Sequence, residues 1–187
     1  MLDALFTLPD DALILDVGTG PARLIELGLA QTPFRWQGAD IDEAMLAQAR
    51  GRLNGAEVPL HHLTPDRPLT FDDGAFDALT FCSVLYLLPD PLPLLAEAWR
   101  VLKPGGRLVA LTATGEGRIT PYTLGTIGPH PANWTFLLWR RMTAVSGQAW
   151  ARKGVLADFA RQQGAIVQQI PVFKGLAVVE VVERASA

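Results

Sequence analysis

Two spacings of hydrophobic residues alternate along the chain. Short, nearly continuous apolar runs with β-branched or aromatic content predict strands at Leu13–Val17, Phe34–Ile41, Val58–Leu63, Asp77–Leu85, Arg107–Thr112, Ala165–Val172 and Leu176–Val182. Between them, apolar residues recur three and four apart. That spacing predicts helices at Pro21–Ala30, Glu43–Arg50, Pro91–Leu102 and Val155–Gln163. In the third helix Leu94, Leu95, Ala98, Val101 and Leu102 form the inward stripe, and Lys103-Pro104-Gly105-Gly106 stops it. Only Phe173-Lys174-Gly175 joins the last two strands, so the final strand should run antiparallel to its neighbour.

Strands alternating with helices point to the α/β class: one doubly wound domain over residues 1–187, with a mostly parallel seven-stranded sheet and an antiparallel C-terminal strand. Such sheets bind ligands at the carboxyl ends of their strands, beside the switch point of strand order. Residues 115–149 break the rhythm. They follow the fifth strand, carry Gly, Pro and aromatic residues, and are longer than an ordinary connection, which predicts a lid insertion that contacts a ligand.

Composition narrows the class further. Hydrophobic residues make up 49% of the 187, which excludes disorder. The net charge is −3, and Lys103, Lys153 and Lys174 are the only lysines, so no basic stripe argues for a nucleic-acid partner. A single cysteine, Cys82, excludes a disulfide framework and a multi-cysteine metal site. No apolar run approaches the roughly 20 residues of a membrane span, and residues 1–10 lack the pattern of a signal peptide, so a soluble cytoplasmic protein is the expectation.

The densest chemistry lies between the first two strands. Asp16-Val17-Gly18-Thr19-Gly20-Pro21-Ala22-Arg23 joins a strand to a helix, and its glycines allow a tight turn and close approach to a ligand. Pro21 suits a first helical position, where an amide would have no intrahelical partner. Asp40 ends the second strand, 20 residues after Gly20 (40 − 20), where a carboxylate can accept both hydroxyls of a ribose. A dinucleotide site wants a third glycine where Arg23 stands. Asp16 is a poor neighbour for a pyrophosphate and a good one for an ammonium group. An adenosine cofactor bearing an amino acid and no phosphate therefore fits better.

Four segments carry a family resemblance, in order: Leu13–Gly20, Gly38–Leu46, Phe71–Asp77 and Arg100–Leu108. They resemble the motifs of class I S-adenosylmethionine-dependent methyltransferases, which have a Rossmann-like fold. The resemblance implies that Asp16 helps hold the methionine amino group and that the Gly18-Thr19-Gly20 loop lies under the cofactor. It further implies that Asp40 binds the ribose, that Ile41 packs on the adenine, and that Cys82 and Ser83 border the methionine part. Asp66 falls near the position of an acid that meets the adenine amine. Two departures stand out. Pro21-Ala22 replaces a frequent Thr-Gly, and only twelve residues precede the first strand where many relatives place covering helices, so the expectation is either a more open site or one closed by the insertion alone.

Methyl transfer from a sulfonium is a displacement with an activated leaving group, and it needs no metal. No metal cluster is visible; His61 and His62 are adjacent, so on a strand they point to opposite faces. The expected function is S-adenosylmethionine-dependent methyl transfer to a small-molecule acceptor. The alternatives are an NAD(P)-dependent oxidoreductase and a non-catalytic S-adenosylmethionine-binding protein. Tyr86, Tyr122, His130, Trp134 and Arg140 are candidate substrate contacts, through stacking and carboxylate pairing. His130 is also the candidate general base, while Trp139 and Trp150 read better as packing residues. After the fourth strand, Phe81-Cys82-Ser83-Val84-Leu85-Tyr86 lacks the Asn/Asp-Pro-Pro-Tyr pattern of nucleobase amino methylation. Cys82 has no preceding proline, so it does not look like the nucleophile of cytosine C5 methylases.

Overall fold

The computed structural model describes residues 1–65, 67–115 and 131–186, with side chains except at 131–140. The strands are β1 (Leu13–Val17), β2 (Arg35–Asp40), β3 (Leu60–His62), β4 (Phe76–Cys82), β5 (Leu102–Ala113), β6 (Val167–Val172) and β7 (Ala177–Glu183). They form one sheet in the order β3-β2-β1-β4-β5-β7-β6. The first five are mutually parallel, and β7 runs antiparallel to both β5 and β6. The order reverses between β1 and β4, which opens a crevice above their carboxyl ends.

The helices are α1 (Arg23–Gln31), α2 (Glu43–Arg52), α3 (Leu92–Val101), α4 (Pro131–Lys153) and α5 (Val155–Gln162). Alternation along the strands divides the core between two faces. Ile14, Ala78, Val109 and Val179 cluster with Ile25 of α1 and Ala49 of α2. Leu15, Leu79, Leu108 and Val182 cluster with Leu95 of α3 and Leu156 and Phe159 of α5. Each fully buried Leu or Ile contributes about 1.5–3 kcal/mol. The close approach of α1 to β2 comes from Gly28, where a Cβ would lie 2.4 Å from the Trp36 indole, and from Gly38, where one would lie 3.0 Å from Ile25 of α1.

Several expected boundaries move, each for a local reason. Helix α1 begins at Arg23 because Ala22, at φ 58°, is left-handed and interrupts the run from Pro21. Strand β4 stops at Cys82, since Ser83 at φ 65° turns the chain into a 3₁₀ turn at Leu85–Leu87. Lys103-Pro104-Gly105-Gly106 does end α3, but it enters β5 as a bulge: Phe76 pairs with Leu102 and Ala78 with Arg107.

The largest difference lies after β5. Residues 131–153, mostly inside the stretch expected as a lid insertion, form the 23-residue helix α4. Its buried side presents Thr143, Gly147 and Trp150, four and three apart. A Cβ at Gly147 would lie 2.0 Å from the Ala113 carbonyl oxygen, so only glycine lets the helix sit so close to the end of β5. Trp150 is a core residue, as its reading as a packing tryptophan anticipates, and its Nε1 donates to Oε2 of the buried Glu180 at 2.9 Å.

Candidate cofactor site

The carboxyl ends of β1, β2 and β4 meet at the crevice. Parallel pairing sets Asp16 beside Gly38 on one side and Thr80 on the other. Because the side chains of paired residues share a face, the Thr80 hydroxyl donates to Asp16 Oδ1 at 2.6 Å. Asp16 is 1% exposed. Burial is the main cause that pushes its carboxyl up to about 6; Thr80 and Thr19 pull it down and the Asp40 charge adds to the rise. The Thr19 hydroxyl is close enough to act on Asp16 but outside hydrogen-bonding geometry. It is buried without a hydrogen-bond partner among the described residues.

The loop after β1 is held by its own amides. Gly18 and Thr19 N–H both donate to the Ala39 carbonyl, at 2.8 and 3.0 Å. Gly20 N–H donates to Asp40 Oδ2 at 2.8 Å, and Asp42 N–H to Asp40 Oδ1 at 2.9 Å. Gly18 has φ 70°, and a Cβ there would lie 2.4 Å from Val84 Cγ2, so this position needs glycine for both conformation and space. Each Asp40 oxygen retains a free lone-pair site beyond its amide. Ile41, the next residue, is 57% exposed and offers an apolar face at the same mouth.

At the end of β4, burial and then the Asp16 charge push the Cys82 thiol up to about 12. A thiol so disposed is not a nucleophile near neutral pH. Ser83 follows in the left-handed region, with its N–H donating to the Leu111 carbonyl at 3.0 Å. Tyr86, expected to touch substrate, is instead packed in the core at 6% exposure, because the 3₁₀ turn after Ser83 points its ring inward.

Asp66, Tyr122 and His130 fall outside the described residues. Trp134 and Arg140 are on α4, with side chains outside the described set, as is that of Trp139. His61 Nε2 meets Gln37 Oε1 at 2.8 Å and its ring stacks edge-on against Phe71, while His62 Nε2 meets the Ile41 carbonyl at 3.0 Å. The two histidines thus have different partners. No group of His, Cys, Asp and Glu suited to a metal ion occurs among the described residues. A cavity of about 490 Å³ opens beyond β3, lined by His62, Leu63, Thr64, Arg67, Pro68, Leu69 and Thr70.

Thr80 and Val84 were not legible as site residues from sequence. Thr80 sits in a plain strand pattern, and only the β1/β4 register brings it to Asp16. Among the described residues, no helix is long and apolar enough to cross a membrane.

Comparison with known proteins agrees with this fold. A family profile described as a methyltransferase domain matches residues 15–110, just over half the chain. The ubiquinone/menaquinone biosynthesis C-methyltransferase of Desulfotalea psychrophila is 35% identical over 107 residues, covering 57% of this chain and 43% of that protein. The demethylmenaquinone methyltransferase of Thermus thermophilus is 39% identical over 100 residues, covering 52% of this chain and 46% of that one. These matches thus span less than half the length of either curated relative. A SAM-dependent methyltransferase from Aquifex aeolicus shares the fold, with a TM-score of 0.65 at 20% identity over 97% of this chain and 88% of that one. With the fold, the profile match and the four ordered motifs together, the chain belongs to the methyltransferase domain family of class I S-adenosylmethionine-dependent enzymes.

Proposed function

We propose that this chain transfers a methyl group from S-adenosylmethionine to a small-molecule acceptor by in-line displacement. The observation that carries this reading is the loop's amide economy beside a buried acid. The amides of Gly18, Thr19 and Gly20 all donate to Ala39 and Asp40, so these three are not free to cradle a pyrophosphate. Asp16 lies below the loop with no ion-pair partner among the described residues, which favours a ligand that brings its own cation. Both features weigh against NAD(P).

The residues fit the cofactor as follows. Asp16 faces the ammonium of the methionine part, with the unpartnered Thr19 hydroxyl beside it. Asp40 has lone pairs left for the two ribose hydroxyls, and exposed Ile41 supplies a surface for one adenine face. Cys82 and Ser83 border the methionine part, with Cys82 as a neutral thiol. Asp66 is assigned to the adenine amine by the same resemblance. When bound, the cofactor supplies a methyl group on a sulfonium, whose leaving group is a neutral thioether.

The protein's part is to orient the acceptor and exclude water. In this reading helix α4, seated on the end of β5 through Gly147, forms one wall of the acceptor space, and Trp134, Arg140, Tyr122 and His130 are the candidate contacts. The quinone-pathway names of the two curated relatives favour an electron-rich ring as the acceptor.

Isothermal titration with S-adenosylmethionine, S-adenosylhomocysteine and NAD tests the cofactor. The two sulfur compounds should bind, and a titration in which only NAD binds would overturn the assignment. A panel of phenols, quinols and amines with radiolabelled methyl donor then tests transfer. A protein that binds the cofactor but methylates none of them would favour a binding role.

A further inference from the structure

The depth of Asp16 has a consequence for how a ligand enters. The residue is 1% exposed at the end of β1. The described groups that act on it are the Thr80 hydroxyl of β4, at 2.6 Å, the Thr19 hydroxyl of the loop, and the Asp40 carboxylate of β2. The Cys82 thiol of β4 also feels its charge. Every titratable neighbour in that set is an acid, and none can offer a compensating positive charge. A carboxylate in such a place is costly, and the ordinary remedy is to keep the proton until a cation arrives.

We infer that, on the acid side of neutrality, cofactor capture is coupled to loss of a proton from Asp16, with Thr80 as the positioning residue that holds the carboxylate for the incoming ammonium group. This rests on the cofactor assignment above. The proton balance is simple: the O–H bond of the Asp16 acid breaks, the proton passes to solvent, and the carboxylate then accepts an N–H from the ammonium. The cofactor's own ammonium and carboxylate keep their charges between pH 5 and 7, so they add no proton of their own. With Asp16 titrating near 6, apparent affinity should be about tenfold weaker near pH 5 than near pH 7. Close to one proton should be released per ligand near pH 5, and almost none near pH 8.

The test is isothermal titration of the full chain with S-adenosylhomocysteine, which carries the same amino-acid group and needs no turnover. Titrations are run from pH 5 to 8 in buffers of different ionisation enthalpy. Heats that depend on the buffer near pH 5 and converge near pH 8 support the coupling. Tight binding with no buffer dependence at any pH overturns it while leaving the cofactor assignment standing. Failure to bind at pH 8 overturns the assignment and the coupling with it. Asp16→Asn should flatten the affinity-against-pH curve, and any proton release left in it belongs to other groups. Thr80→Val removes a hydrogen bond that favours the charged carboxylate, so the midpoint should move to higher pH. A Thr80→Val protein whose affinity changes but whose midpoint stays fixed would refute the positioning role.

Discussion

Replacing Asp16 by Asn should make the cofactor-free protein more stable at neutral pH, and the gain should grow with pH. Asp16 titrates near 6 in the folded chain against an ordinary 3.8, chiefly because burial penalises its charge. Between those values the folded state holds the proton that the unfolded state has lost. Unfolding therefore releases a proton, and stability falls as pH rises through this window. Below 3.8 the penalty is absent, and above about 6 it is complete. Its full size is about 3 kcal/mol, of which roughly half is already present near pH 5. Asn keeps the shape and an acceptor for the Thr80 hydroxyl, but its amide hydrogens need partners, at a pH-independent cost of about 1 kcal/mol. The diagnostic quantity is thus the pH dependence of the difference. In urea melts without cofactor, the stability of Asp16→Asn relative to wild type should rise by about 1–2 kcal/mol between pH 5 and 7.5. A difference that stays constant with pH would show that Asp16 is not the buried acid described above.

Three further outcomes are expected. Asp40→Ala should weaken S-adenosylhomocysteine binding and also cost about 1–3 kcal/mol in a urea melt, because the Gly20 and Asp42 amides lose their acceptor; Asp40→Asn, which keeps an oxygen, should cost less. Cys82→Ala should bind the cofactor within about threefold of wild type, and iodoacetamide should label the native thiol far more slowly than free cysteine at pH 8, because its titration lies near 12. Gly147→Val should lower the melting temperature, at a cost of about 1–3 kcal/mol, since the new side chain meets the Ala113 carbonyl rather than a flexible side chain; an unchanged melt would show that α4 is not seated there.

Much of the architecture was legible along the chain because its causes are local. A strand such as Leu13–Val17 declares itself by a continuous apolar run, and the glycine loop followed by Asp40 declares itself by spacing. The antiparallel last strand followed from the short connection at Phe173–Gly175. Helix α4 was less legible: the length of residues 115–149 and their Gly, Pro and aromatic content suggested an insertion, whereas docking on β5 and the Trp150–Glu180 hydrogen bond stabilise a long helix there. The left-handed residues Ala22 and Ser83 were also hidden, since neither residue type advertises a positive φ.

Within the cofactor site the same division holds. Sequence by itself determined which residues are present and in what order: an acid two places before a glycine pair, a second acid at the end of the next strand, and a serine after the fourth. Tertiary structure decided what state they are in. Thr80 reaches Asp16 across 64 residues only through the β1/β4 register. The loop amides turn away from the crevice only because Ala39 and Asp40 lie beside them. Asp16 holds its proton toward pH 6 because the sheet and its covering layers remove water from it, and desolvation is a property of everything packed around a group rather than of its neighbours in sequence.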